Sequence, residues 1–530
     1  MKFRYFFIFV ALISLVNCAR VGRPTGGEKD LKAPISISAN PDFESIHFSA
    51  DKIKISFDEY IKFKDLNKQL VVSPPLEYPP EITPLGTASK FISIKLKDTL
   101  KENTTYTFNF GNAIVDNSEG NPLQQFKYLF STGDFIDSLR VDGIVRDAFY
   151  QKTASNISVL LYAVDSTFND SIIYKRKPDY IANTLDSIAF SITNIKDGKY
   201  MLLALNDVSN NMIYDPKEDY IGYLNDLIDV NSDTTYQLDL FKEIPNFSIK
   251  NKTELSANHF VLGYEGQLES IVENIVDKEQ NSISFLSYKD RVTDSLHIWH
   301  KDNLADSLFV QLKQKDTIIS HLVRIRSQEK DSLELTKSSG QTLHLRDSLF
   351  VLSNTPIEKL DRNKIELHDK DSVNVPFTLS KNPLNDKFEI AFKKKYSDRY
   401  SLTLFPEAVS DFLGHKNDTI SYSFSTKKPE DYGEIQLKVI NENKISTIIE
   451  LISDSGVIIE RNFVSETKTL NYTLLIPGNY NFRAIYDHND NKKWDTGDYL
   501  RKIQPEKVEY FQKELELRAN WKITEEFTIN

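Results

Sequence analysis

The sequence predicts an all-β chain of β-sandwiches in tandem, and three observations predict it. From about residue 40 onward, apolar and polar residues alternate with period two, as half-buried strands require. Turn clusters such as Ser73-Pro-Pro75 and Asn117-Ser-Glu-Gly-Asn-Pro122 punctuate the alternation. Two stretches recur along the chain at fixed offsets, so the same modules are used twice.

The elements follow in order. Ile53, Ile55 and Phe57 alternate with Lys54 and Ser56; Ile92, Ile94 and Leu96 alternate with Ser93 and Lys95. Tyr106, Phe108 and Phe110 share one face of a strand, as do Phe126, Tyr128 and Phe130. Phe57–Leu66 and Leu268–Ile275 are the stretches expected to hold a turn or two of helix. The 25 Tyr and 33 Phe suit pleated surfaces.

The first repeat joins Thr105–Thr132 to Arg399–Thr426, with Tyr106/Tyr400, Gly120/Gly414 and Phe130/Phe424 all 294 residues apart. The second joins Gly198–Asp207 to Gly478–Asp487 at offset 280, continuing through Asn211/Asn491, Tyr214/Trp494 and Asp215/Asp495. The order is A, B, a β-rich middle, then A and B again. Expected spans are 31–135, 136–248, 249–345, 346–430 and 431–530, in an extended chain. Each is large enough for a sandwich core.

Charge and cysteine usage exclude several functions. Lys+Arg 65 against Asp+Glu 76 gives −11, and the acidic balance argues against a nucleic-acid partner. Cys18 is the only cysteine, so no internal disulfide or thiolate metal cluster forms. No HExxH, GxSxG or Walker loop occurs.

Residues 1–17 read as a signal peptide: Lys2 and Arg4 precede an apolar run, Phe6–Val16, too short to span a membrane. Leu15-Val16-Asn17-Cys18 resembles a bacterial lipobox. That resemblance implies cleavage before Cys18, a diacylglyceryl group on its thiol and an acyl group such as palmitate on its amine; several chains anchor stably. An ordinary signal peptide with an incidental cysteine is the alternative. Residues 18–30 then form a Gly-rich tether without an acidic cluster.

Pro24-Thr-Gly-Gly-Glu-Lys-Asp30, Ile55-Ser-Phe-Asp-Glu-Tyr60, Ser73-Pro-Pro75, Leu96–Tyr106, Phe110-Gly-Asn-Ala-Ile-Val-Asp116 and Phe130-Ser-Thr-Gly133 together resemble the SbsA-type bacterial Ig-like domain. In particular they resemble Bacteroidota lipoproteins that begin with it. The resemblance covers 18–135 well and 346–430 weakly. The B modules, through Gly-x-Tyr-x-apolar-x-Ala and the Asp/Asn loop after it, resemble prealbumin-like or Cna-B-like sandwiches. The family implies an outer-membrane lipoprotein, on either face of that membrane, and no known activity. A Tyr opening a strand, as Tyr106 does, commonly corners a sandwich through its hydroxyl.

The sharpest site candidate is the loop 487–498. Asp487, Asn489, Asn491, Asp495 and Asp498 fall at positions 1, 3, 5, 9 and 12, the oxygen positions of a calcium loop. Asp207, Ser209, Asn211, Asp215 and Glu218 repeat them in the first B module. Position 6 is Lys492 or Met212 rather than Gly, and the flanks read as strands. A hairpin tip rich in Asx turns is the alternative. No cofactor is required; structural Ca²⁺ is the one candidate.

His297 and His300 lie three apart on a strand, hence on opposite faces, and read as surface histidines. Asp–Ser pairs such as Asp294-Ser295 and Asp331-Ser332 read as turn chemistry. Trp299, Trp494 and Trp521 read as core packing, with a glycan platform as the rival. Three functions follow: a non-enzymatic envelope scaffold, spacer or interaction lipoprotein; a glycan- or peptide-binding lipoprotein of an uptake or secretion system; and a hydrolase hidden in the middle segment. The expected partners are the membrane, through the lipid, and a protein or glycan.

Overall fold

The computed structural model describes residues 29–529, apart from 151–155, 167, 269–270, 291–292, 302–305, 315–316 and 328–330. Cys18 and the lipobox lie outside the described residues. The chain is strand throughout, broken by short helical turns. Both helix expectations are corrected. Lys52–Phe63 is one long strand and the helical turn comes later, at Leu66–Gln69. Ile271–Val276 is also a strand. In the first stretch, Phe57 and Ile61 are buried in the core while Asp58 and Tyr60 stay exposed.

Each A module is a two-sheet sandwich. In the first, Lys52–Phe63 lies between Ser36–Asn40 and Ser89–Lys95 and also pairs Ile114–Asp116. Val71–Ser73, Thr105–Asn109 and Lys127–Ser131 form the facing sheet. In the second A module, Leu349–Ser353 and Ile357–Leu360 together replace that long strand. This module begins earlier than the expected residue 346. Leu335–Lys337 pairs Val351–Ser353, and Leu335 and Leu343 are buried in its core.

The corner tyrosines are present twice. The Lys101 N–H donates to Tyr106 Oη at 2.9 Å, and the Lys395 N–H donates to Tyr400 Oη at 2.8 Å. Thr132 and Thr426 repeat one another too, donating to the carbonyls of Lys101 and Lys395.

The B modules share a mixed topology. Leu139–Asp147 runs antiparallel to Ala189–Ile195 and parallel to Thr235–Leu240. Gly433–Ile440 does the same with Lys468–Leu475 and Lys522–Thr528. Tyr200 donates to the Lys196 carbonyl and Tyr480 to the Ile476 carbonyl, again at matching positions. The middle module is a seven-stranded sandwich, Ser248 to Arg324, around Phe260, Leu262, Ile298 and Val310.

The sandwiches are tandem in sequence but the chain does not extend. It turns back so that the second B module packs on the first, and Tyr499 is fully buried among side chains of the first B module.

Tyr106→Phe and Tyr400→Phe each remove the acceptor of one backbone N–H. Each is expected to destabilise its own A module by about 1–2 kcal/mol, read as a lower urea midpoint of one transition with the others unchanged.

Candidate functional site

The Asp/Asn loops leave a central strand of each B module and reach the first-to-second B junction. In the second loop Asp487 is buried, and its two oxygens accept the N–H groups of Asn491 (3.0 Å) and Lys492 (2.8 Å). Asp207 accepts one such group, the Met212 N–H at 2.6 Å on Oδ2, and its buried Oδ1 has no hydrogen-bond partner among the described residues. Lys492 and Met212 take positive φ, 66° and 61°. The tight turn that Gly gives at position 6 is therefore made without glycine, which costs strain in a side-chain-bearing residue. The Asn489 and Asn491 amides donate to Asp495 Oδ2.

Position 12 does not join this cluster. Asp498 accepts the Arg501 N–H, within a turn whose Asp498 and Ile503 backbones are bridged. Glu218 receives only Ser209 Oγ at 3.4 Å. The loops close instead through carboxylates the sequence reading missed, Glu506 and Asp219. Glu506 accepts the His488 and Asp495 N–H groups at 2.9 and 3.0 Å. Asp219 accepts those of Val208 and Asp215 at 2.9 and 2.8 Å. Burial, together with neighbouring Asp residues, pushes both carboxyls up. Among the described residues, no three His, Cys, Asp or Glu side chains group as a metal site.

The two closing carboxylates stand 287 residues apart (506 − 219), against 280 for the start of the loop. The second loop therefore holds seven more residues (287 − 280), and this change of offset was the readable signal. The longer loop carries the clamp. Tyr499 Oη donates to the Asp170 carbonyl (2.8 Å), and its N–H donates to Glu243 Oε1 (2.5 Å). Its ring meets Tyr223 edge-on at 5.0 Å. Tyr223 Oη reaches the Asp498 and Ile503 carbonyls (3.2 and 3.1 Å), and Thr496 donates to the Lys242 carbonyl. Gly497 permits the approach, because a Cβ there would sit 2.6 Å from Phe241.

Beside the clamp, Phe149 of the first B module covers the outer face of the second. Its ring lies 4.1 Å from the Arg483 guanidinium and 4.9 Å from Trp494. Arg483 and Arg461 both pair with Glu450, which is fully buried.

In the middle module His259 and His300 are buried and His297 is half-buried, correcting the surface reading. His259 lies flat on Trp299 at 3.7 Å, and its Nε2 is 2.9 Å from His297 Nδ1. His297 stacks on Tyr288. His300 faces the other way, beside Phe260. Burial, reinforced by His297 and His300, brings His259 down to about 3. Trp299 is buried and Trp494 half-buried at the junction, while Trp521 is half-exposed beneath Arg518. The middle module thus presents no tryptophan platform. A cleft of about 680 Å³ between the first A and B modules is lined by amides and hydroxyls, including Asn109, Asn112, Gln125, Asn183 and Thr184.

Residues 30–132 match the family model described as Bacterial Ig-like domain. No curated protein matches the chain. Among solved structures, the Bacillus anthracis TIE protein is 10% identical over 96% of this chain and 76% of its own, with a TM-score of 0.14. Surface layer protein SbsC, domains 1–6, is 10% identical over 92% and 68%, at 0.16. BcpA, the major pilin subunit of Bacillus cereus, is 11% identical over 74% and 99%, at 0.14.

Asp487→Ala orphans two backbone N–H groups and is expected to destabilise the second B module by about 2–4 kcal/mol. Calcium and chelator are expected to give the same melting midpoint, since Asp498 lies outside the cluster and Asp487 and Glu506 each already hold two backbone N–H groups; a rise of more than about 3 °C in calcium would assign the loops a metal.

For His259 the unfolded state binds the extra proton between the unfolded value of 6.5 and the folded value of about 3. Stability therefore falls as pH drops through 6.5, by about 2 kcal/mol from pH 7 to 5. Amide exchange at Phe260 and Leu262, corrected for intrinsic rate, is expected to quicken about 25-fold over that range and not in His259→Gln.

Proposed function

We propose that this chain is a non-enzymatic envelope lipoprotein, acylated at Cys18, that holds a rigid scaffold of sandwiches at the outer membrane. The clamp carries the reading. A flexible spacer needs no contact between modules that are distant in the sequence, whereas here a seven-residue insertion plants Tyr499 in a module more than 250 residues upstream. The titratable groups singled out above support the same view. Among the described residues, Asp487, Asp219 and Glu506 are held by backbone N–H groups, Asp495 by side-chain amides, Glu450 by ion pairs, and His259 and His297 by ring stacking. The amide-lined cleft between the first A and B modules favours the second reading, a glycan or peptide ligand, since amides and hydroxyls match a neutral polyhydroxylated chain. The expected partners are the membrane and a protein or glycan of the envelope.

Small-angle scattering tests the scaffold. Tyr499→Ala removes about 3–5 kcal/mol of buried contact, and Gly497→Val drives a side chain into Phe241. Either is expected to raise the radius of gyration while leaving the two B-module melts in place; an unchanged radius in both would sink the scaffold reading. Mass spectrometry of the mature N-terminus tests the anchor, where a chain without lipid mass on Cys18 would overturn it.

A further inference from the structure

One sheet face of the first A module carries a charge opposite to that of the chain. We propose that this face docks on an anionic lipid surface, namely the membrane in which Cys18 is anchored; its placement rests on the lipoprotein reading, its chemistry does not.

In this sheet Ile53, Ile55, Ile92 and Ile94 turn inward and are fully buried. The residues between them face out: Lys52 and Lys54 on one strand, Phe91 and Lys95 on the next. Lys52 stands directly opposite Lys95 in the register. Like charges at opposed positions destabilise a strand pair, and Glu81, opposite Lys95 on its other side, is an acid that faces them and is shared with Lys97. Lys52, Lys54, Lys90 and Lys95 make no ion pair among the described residues. The acids nearby are Glu81, which pairs Lys97 at 2.8 Å and also faces Lys95, Asp58, which accepts the Ile35 N–H at 2.8 Å, and Glu59, which lies near Lys90. Lys52, Lys54 and Lys95 thus leave this face with more ammonium groups than its carboxylates, Asp58 and Glu81, on a chain whose net charge is −11.

Apolar tips stand among these cations. Phe91 is 42% exposed with the Lys54 ammonium 4.4 Å from its ring centre, and Tyr60 is 56% exposed with that of Lys90 at 5.4 Å. Ile37, 65% exposed, projects from a bulge in the adjoining edge strand. A soluble polyanion has no use for these apolar groups. A bilayer interface has use for both kinds, taking cations at its headgroups and apolar tips at the acyl boundary. Twelve residues separate Cys18 from Leu31, a reach of at most about 43 Å, so an anchored chain holds this module against the membrane.

The test uses the chain without its first 17 residues and with Cys18→Ser, so that no acyl chain contributes. It is co-sedimented with vesicles of phosphatidylcholine, with and without phosphatidylglycerol. Binding is expected only to the anionic vesicles and is expected to be lost at high salt. The Lys52→Glu/Lys54→Glu/Lys95→Glu variant, its melting midpoint checked as unchanged, is expected to bind at least about 100-fold more weakly. Phe91→Ser is expected to bind several-fold more weakly. Equal binding to both vesicle types, no binding to either, or an unaffected triple variant would overturn the proposal. Acylation is read separately on the native chain, so a docking failure with an acylated Cys18 leaves the lipoprotein reading intact, and an unacylated chain leaves the vesicle result standing.

Discussion

The arrangement of this chain depends on one buried aromatic ring. Tyr499 is fully enclosed by Leu160, Tyr162, Met201, Tyr223 and Phe241, all of the first B module. Without it, that module would present an apolar sheet face to water. With it, the second B module must return to the first, and the middle and second A modules between them must close a loop. The entropy of closing so long a loop grows only logarithmically with length. A modest number of well-made contacts therefore suffices to hold it. The hydroxyls of Tyr499, Tyr223 and Thr496 all reach backbone carbonyls, so the clamp fixes orientation as well as contact.

The flanking charges reinforce that choice. Glu450 is fully buried and holds Arg461 and Arg483 at once. A buried triad of this kind gains little over an apolar packing, yet losing one member leaves a charge unpaired at large cost. Phe149 lies across the Arg483 guanidinium and shields it from water, so undocking the first B module would rehydrate the pair. The specificity of the junction thus lies in a polar arrangement that only the docked geometry completes.

Much of the fold was legible in the sequence because strands repeat with period two and the corner tyrosines recur at a fixed spacing. The burial of Ile53, Ile55, Ile92 and Ile94, the corner bonds of Tyr106 and Tyr400, and the shared local form of the two Asp loops all follow from short-range patterns. What was not legible is long-range. The oxygen spacing of Asp487 to Asp498 matched a calcium loop, but spacing along a chain does not say where the twelfth residue goes once seven extra residues loop out. Glu506 closes the turn because it lies just ahead of the returning strand, Val508–Tyr510, and Asp498 is carried away with the clamp. In the same way the histidines read as surface groups because strand periodicity assigns a face without saying what stacks on it. Trp299 and Tyr288 decide that.

The two B loops show how one turn yields two uses. In the first module the loop folds onto its own body, with Tyr214 buried against Tyr174. In the second, the equivalent Trp494 packs against Phe149 of the other module, and the inserted segment continues outward to Tyr499. The turn closed by Asp487 and Glu506 is the fixed base from which that segment projects. A base held by four backbone N–H groups limits the positions the insertion can sample, which lowers the entropy lost on docking. Rigidity at the loop's root is thus what allows the insertion to act as a clamp, and the acidic residues that resemble a metal site supply that rigidity through the backbone itself.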